Sequence, residues 1–197
     1  MTDSHKGNLS VIVIGASVGA IEALSVILPG LPPGYPFAVL VVVHIPSDRS
    51  SLLTEIFAPR CNLAVKEAED KELLAPATIY FAPPDYHLLV ETGRTFALSQ
   101  DDRLHFSRPA VDVLFESAAE AYGDRLMGVI LSGANSDGAQ GLRAVADAGG
   151  MAVVQALESA EMIAMPAAAL EAVPDSIEVN VSALADLLRK HGVLNDR

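Results

Sequence analysis

A serine between two glycines is the first residue in this sequence whose setting suggests chemistry. The segment Gly15-Ala16-Ser17-Val18-Gly19 has the G-x-S-x-G pattern of a nucleophile turn, and it follows an apolar, β-branched run. The glycines permit a sharp turn that exposes the serine hydroxyl, and the start of a following helix directs N–H groups toward a developing oxyanion. The pattern therefore predicts Ser17 as a nucleophile.

Two other interpretations of Ser17 stay open at this point. Its hydroxyl could instead cap the helix that follows the turn. The turn could also belong to a nucleotide-binding domain, although the G-x-G-x-x-G pattern of dinucleotide loops requires glycine where Ser17 stands.

Two further loops carry residues that could work with a serine. His44 directly follows the apolar run Phe37 to Val43 and is predicted to accept the serine proton, with a satisfied surface or supporting histidine as the alternative. His87, at the start of a hairpin strand, is a weaker competitor. Asp137 could orient the histidine, although an aspartate before glycine is also common as a turn or helix-capping residue. The chain order Ser, His, Asp differs from that of the α/β-hydrolases.

The elements that must position these residues alternate between strands and helices. This order predicts an α/β fold: a doubly wound, mostly parallel sheet in a Rossmann-like three-layer sandwich. In such sheets ligands bind beyond the carboxyl ends of the strands, which is where the three loops lie. Predicted strands are Leu9 to Ile14, Phe37 to Val43, Leu126 to Leu131, Met151 to Gln155 and Ser176 to Val179. Predicted helices are Ala20 to Leu28, Ser50 to Ala58, Val111 to Tyr122, Ala139 to Ala148, Pro166 to Glu171 and Ser182 to Lys190.

The middle of the chain has a different pattern. Three short apolar runs, Ala77 to Ala82, Tyr86 to Glu91 and Thr95 to Ser99, occur there, and the last two flank the turn Thr92-Gly93-Arg94. This spacing predicts an antiparallel hairpin and favours an antiparallel arrangement for the whole region.

Composition and charge narrow the function classes. The 197 residues fit a single domain over 1–197, and the formal net charge of −12 disfavours nucleic acid and anionic membrane surfaces as partners. One cysteine and a polar start without a secretory segment indicate a cytoplasmic protein, and no apolar stretch is long enough to insert in a bilayer. No metal-site or cofactor motif is found.

Taken together, the motifs resemble those of the catalytic domain of bacterial chemotaxis protein-glutamate methylesterases. The resemblance covers nearly the whole chain in the family's order. The matching stretches are Ile14-Gly15-Ala16-Ser17, Val43-His44-Ile45-Pro46, Phe81 to Leu88, Ser107 to Phe115, Gly128 to Gly133, Asp137-Gly138-Ala139 and Met165-Pro166.

The resemblance implies a serine hydrolase that removes γ-methyl esters from glutamates of chemoreceptor signalling helices and can also deamidate receptor glutamines. By motif, Ser17 is the nucleophile, His44 the base and Asp137 the orienting carboxylate. Arg108 falls in the stretch that borders the site. The expected partners are chemoreceptors or related methylated proteins and a receptor methyltransferase.

The chain departs from the family around the triad. Val18 replaces the usual threonine, and Ala134 lies in a loop where the family has Gly-Met-Gly-x-Asp. Because backbone N–H groups do not depend on side-chain type, Val18 and Ala134 are still predicted at the oxyanion pocket. These changes keep open a catalytically weak relative that acts as a receptor- or methyltransferase-binding module. The first strand begins too early for the receiver domain of typical members, so we expect none in this chain.

Overall fold

The computed structural model describes residues 10–44 and 52–194. Within them, seven strands form one parallel sheet and two more form a hairpin. The strands of the large sheet are β1 (Val11–Ala16), β2 (Ala38–Val43), β3 (Ala64–Glu67), β4 (Thr78–Phe81), β7 (Leu126–Ile130), β8 (Met151–Gln155) and β9 (Ile177–Val179). The hairpin consists of β5 (His87–Val90) and β6 (Phe96–Ser99). The α-helices are α1 (Ala20–Ile27), α2 (Leu53–Phe57), α3 (Val111–Tyr122), α4 (Ala139–Asp147), α5 (Ala164–Ala172) and α6 (Val181–Leu194).

The strand order creates the crevice that the sequence predicts. The order is β3-β4-β2-β1-β7-β8-β9. The chain adds strands β2 to β4 on one side of β1 and then returns to add β7 to β9 on the other side of β1. Ligand sites of doubly wound sheets form at such a reversal, beyond the carboxyl ends of the strands. The predicted doubly wound fold with an antiparallel hairpin is confirmed.

Helices cover both faces of the sheet because the central strands are apolar on both sides. Along β1, Val11 and Val13 pack into the core beneath α3, α4 and α5. Ile12 and Ile14 point the other way, into the core beneath α1, α2 and α6. All four side chains are at most 2% exposed, so the sheet is rigidly held beneath the loops that end its strands. No helix among the described residues combines the length and apolarity needed to cross a bilayer.

One expectation for the middle of the chain was wrong, and one strand there was not predicted. β4, predicted in an antiparallel region, pairs in parallel with both β2 and β3, while only β5 and β6 pair in antiparallel fashion. The edge strand β3 was not predicted, because its sequence Ala-Val-Lys-Glu is half polar and only partly buried. The predicted helix from Ser50 is seen as α2, whereas Ser50 itself and the motif residues Ile45 and Pro46 lie outside the described residues.

Candidate active site

Ser17 and His44 end two neighbouring strands and lie side by side. β1 and β2 pair in parallel with Ala16 opposite Val43, so the next residue on each strand is one of these two. The His44 N–H donates to the carbonyl of Ala16 at 3.1 Å, which continues the ladder to the edge. The Ser17 N–H donates to the carbonyl of Ser132, beyond β7, at 2.9 Å. Three strand ends therefore meet at Ser17.

Asp137 comes to His44 from the loop that follows β7. Its Oδ2 lies 2.7 Å from Nε2 of the His44 ring. The Asp137 side chain is fully buried and that of His44 is only 10% exposed. The same carboxylate accepts the N–H groups of Val111, at 2.8 Å, and Asp112, at 3.0 Å. The structure thus brings together Asp137 and His44, with Ser17 on the adjoining strand.

Hydrogen bonds decide the charge of Asp137. Burial would raise the pKa of this carboxyl, but the hydrogen bonds from His44 and from the N–H groups of Asp112 and Val111 outweigh burial and hold the pKa below its usual range. The start of α3 also favours negative charge, because its first N–H groups have no partner within the helix. Asp137 is therefore an anion that can fix the orientation of a histidine and stabilise its protonated form.

The capping alternatives for the two loops do not match the geometry. The residues that precede α1 and α4 are Gly19 and Gly138, and neither helix has a side-chain cap at its start. Ser17 therefore does not cap α1, and Asp137 holds the start of α3 instead of its own helix. Gly138 has a φ of 94°, and a Cβ there would lie 2.5 Å from Cδ1 of Ile130. Only glycine suits both the backbone conformation and the close packing.

The predicted oxyanion donors lie on the two loops that meet at Ser17. Val18 directly follows the serine, and Ala134 is exposed in the loop between β7 and α4. Within residues 10–44 and 52–194, neither N–H has a protein acceptor, whereas the neighbouring Gly133 N–H donates to the carbonyl of Met162. The free N–H groups are compatible with an oxyanion role, which stays a prediction for both residues.

Arg108 makes contacts away from the three central residues. Its Nη2 lies 2.7 Å from Oδ1 of Asp85, and its Nη1 donates to the carbonyls of Gln100 and Asp101 at 2.8 and 2.9 Å. These bonds tie the segment before α3 to the hairpin. None of these partners belongs to the Ser17, His44 and Asp137 group, so a role of Arg108 in the substrate pocket stays a prediction.

Sequence reasoning missed the part played by the start of α3. The N–H groups of Val111 and Asp112 hold Asp137, and Oδ1 of Asp112 in turn accepts the N–H of Gly141 in α4 at 2.7 Å. The helix start at Val111 was itself predictable, and its unpaired N–H groups are a signal that an acceptor must lie nearby. Which aspartate supplies that acceptor depends on tertiary contact.

A second histidine lies close to these carboxylates. His105, Asp112 and Asp137 place three potential ligand atoms within 4.8 Å of one another, a spacing that a metal ion could use. Both carboxylates, however, already accept N–H groups from the beginnings of α3 and α4. These donors and the helix dipoles compensate the negative charge, so the cluster is accounted for without a cation.

Comparisons with known proteins identify a family that this chain resembles over most of its length. The family model described as CheB methylesterase matches residues 12–188. A putative protein-glutamate methylesterase/protein-glutamine glutaminase of Leptospira interrogans is 46% identical over 180 residues, covering 91% of this chain and 93% of the relative. A protein of the same description, without "putative", from Chromohalobacter salexigens is 38% identical, but the match covers 50% of that protein's length.

The fold also matches a solved structure. The crystal structure of the Thermotoga maritima CheB methylesterase catalytic domain superposes with a TM-score of 0.85. The two chains are 31% identical, and the match covers 92% of this chain and 98% of the other.

Proposed function

The chain belongs to the CheB methylesterase family, a family of esterases, and on this basis we propose that it is a serine hydrolase acting through Ser17, His44 and Asp137. The observation that carries the proposal is the buried 2.7 Å contact between Asp137 and His44, on the strand next to Ser17. A buried, charge-assisted pair of this kind is what a general base needs to accept a serine proton.

The first step uses the ring nitrogen of His44 that Asp137 leaves unoccupied. Because Nε2 faces Asp137, Nδ1 is the nitrogen available to Ser17. As the Ser17 oxygen attacks an ester carbonyl, its proton passes to Nδ1, and Asp137 stabilises the imidazolium that forms. The N–H groups of Val18 and Ala134 receive the developing oxyanion.

The second half of the reaction reverses the proton movement. The imidazolium of His44 protonates the departing alkoxide, which leaves as methanol, and an acyl-enzyme on Ser17 remains. Water then attacks this acyl group while His44 takes its proton. Collapse of the second tetrahedral intermediate returns that proton to Ser17 and releases a carboxylate.

The proposed substrates are γ-methyl esters of glutamate on chemoreceptor signalling helices, hydrolysed in the cytoplasm. The names of the relatives, which pair methylesterase with glutaminase, support this class. Glutamine deamidation needs the same steps, with ammonia in place of methanol as the leaving group. One site can therefore serve both reactions.

The test is methanol release from a methylated chemoreceptor fragment by the wild-type chain and by Ser17→Ala. Release that depends on Ser17, together with labelling of the wild-type protein by a fluorophosphonate, supports the proposal, since only an activated serine reacts readily with this probe. Receptor binding with neither release nor labelling would instead support the non-catalytic binding module.

A further inference from the structure

A tight turn next to the candidate site holds two bulky residues in an unfavourable backbone conformation. The Ser107 N–H donates to the carbonyl of Leu104 at 2.8 Å, which closes a four-residue turn. The two central residues, His105 and Phe106, have φ values of 49° and 64°. Turns with positive φ at both central positions strongly favour asparagine, aspartate and glycine, because other side chains are strained there.

Packing among residues 10–44 and 52–194 does not account for a phenylalanine in this turn. The Phe106 side chain is 97% exposed, so the ring gains almost no burial in return for the strain. A glycine would adopt the same conformation without steric strain. Strained residues of this kind are typical of functional sites, where the strain serves an interaction outside the fold.

The turn stands beside the loop that carries Asp137. The carbonyl of His105 accepts from Nδ2 of Asn135 at 3.5 Å, and Oδ1 of Asn135 accepts the N–H of Asp137 at 3.2 Å. The His105 ring also lies 3.3 Å from Asp112, whose N–H holds Asp137. Phe106 therefore directly follows a residue that two hydrogen bonds, through Asn135, join to the backbone of Asp137.

Exposed apolar side chains also occur near the other loops that meet at Ser17. Val18 follows the nucleophile and is 40% exposed. Met162 is similarly exposed, and its carbonyl accepts the N–H of Gly133, one residue before Ala134. Val18, Met162 and Phe106 therefore expose apolar side chains on segments that adjoin the loops of the candidate site.

We propose that Phe106 is a specificity-determining residue whose ring packs on apolar side chains flanking the esterified glutamate of the protein substrate. This inference rests on the proposed function. On a helix, those flanking residues lie three or four positions from the glutamate. A small ester without such neighbours makes no use of Phe106. The contact holds the substrate before and during reaction, so it acts on KM more than on kcat.

The test compares a protein substrate with a small one. The 197-residue chain and its Phe106→Gly variant are assayed for methanol release from a methylated chemoreceptor fragment and for hydrolysis of p-nitrophenyl acetate. We expect KM for the fragment to rise about tenfold, as for loss of an aromatic anchor, with kcat within about twofold. Hydrolysis of the small ester stays unchanged, and Tm stays the same or rises because the strain is relieved.

Matched variants separate the side chain from the turn. Phe106→Asn, which also tolerates the left-handed conformation, should behave like Phe106→Gly, whereas Phe106→Leu keeps an apolar contact and should recover part of the loss in KM. Ile177→Ala removes an exposed apolar side chain from β9, at the far edge of the sheet, and should leave both assays unchanged.

Three results would overturn the role of Phe106. The first is an unchanged KM for the fragment in Phe106→Gly. The second is an equal loss of activity on the small ester, which would mean that Phe106 supports the catalytic site itself. The third is a lower Tm, which would mean that Phe106 stabilises the fold. Failure of the proposed function looks different: the wild-type chain would release no methanol, or Ser17→Ala would release as much as wild type, whatever residue 106 is.

Discussion

Two histidine–aspartate pairs lie side by side in this protein, and they differ in almost every physical respect. His44 and Asp137 approach to 2.7 Å, with side chains 10% and 0% exposed. His105 and Asp112 approach only to 3.3 Å, with side chains 40% and 6% exposed. Identical residue types thus form one short pair within the protein and one longer pair open to water. Solvent screens the second pair and weakens its coupling.

The two aspartates also differ in charge preference, although both are buried. Hydrogen bonds from His44 and two N–H groups outweigh burial and keep the pKa of Asp137 low. For Asp112, burial is the largest influence and raises the pKa, and the nearby negative charge of Asp137 raises it further. The hydrogen bond from the Gly141 N–H lowers the pKa but offsets only part of this increase. The number of donors that reach a buried carboxylate therefore decides its ionisation more than burial does.

The comparison teaches which pair is suited to catalysis. A base partner must stay ionised, and it must hold the histidine in one orientation, as Asp137 does for His44. Asp112 instead joins helices, since its N–H holds Asp137 from α3 and its carboxylate binds the N–H of Gly141 in α4.

The largest expected effect separates the two histidines. His44→Ala should lower kcat for methanol release by about 10⁵- to 10⁶-fold, and Ser17→Ala by a similar factor, because members of a triad such as the one proposed act as a unit. For the same reason the double variant should be little worse than either single one. His105→Ala is the matched control and should change kcat by less than about threefold. Similar losses in folded His44 and His105 variants would break the comparison.

A smaller effect should separate the two aspartates. Asp137→Asn should lower kcat by about 10³- to 10⁴-fold, since an amide cannot stabilise the imidazolium or hold the same tautomer. Asp112→Asn keeps an oxygen for the Gly141 N–H and should cost less than about tenfold. Steady-state kinetics of both variants on one methylated fragment measures the difference. If Asp112→Asn lowers kcat more than Asp137→Asn does, Asp112 and not Asp137 is the carboxylate that matters more for catalysis.

Opposite pKa shifts predict opposite dependences of stability on pH. The low pKa of Asp137 contributes stability that is complete above the unfolded value of about 3.9 and is lost as pH falls through the folded pKa. The raised pKa of Asp112 contributes stability at acid pH that is lost as pH rises through its folded value.

Thermal unfolding of the two Asn variants from about pH 3 to pH 8 tests this contrast. Asp137→Asn should lower Tm by several degrees near neutrality and less at acid pH. Asp112→Asn should leave Tm unchanged or higher near neutrality, where the buried charge is removed, and lower it toward acid pH. Parallel Tm curves for wild type and variants would show that neither carboxylate is coupled to folding as inferred.

The smallest expected effect concerns the border of the oxyanion pocket. Val18→Thr adds a hydroxyl next to Ser17 at an exposed position, so the substitution should not disturb the fold. We expect kcat to rise about two- to fivefold with KM nearly unchanged, because a peripheral hydrogen bond to the transition state is worth less than a full oxyanion donor. A fall in kcat for the folded variant would place the oxyanion pocket elsewhere.

The sequence by itself determined the two central strands that lead to Ser17 and His44, although the first was predicted at Leu9 to Ile14 and is observed at Val11–Ala16. The helix over Val111–Tyr122 has the predicted bounds. These elements follow from local rules: β-branched apolar runs form buried strands, and glycine and proline interrupt them. The G-x-S-x-G pattern then singled out Ser17, and position directly after a strand singled out His44, because parallel strands all end at the same edge of the sheet.

Only the tertiary structure decided how Asp137 and Asp112 are used. Asp137 binds the N–H groups at residues 111 and 112, 26 and 25 positions earlier in the chain, and a glycine–aspartate loop gives no local sign of that contact. The parallel pairing of β4 could not be predicted from the sequence either, because a short apolar run suits both parallel and antiparallel pairing. The direction of strand pairing and the partners of helix ends depend on which distant segments come into contact. Local sequence determines only the secondary structure and the hydrogen-bonding groups of each segment.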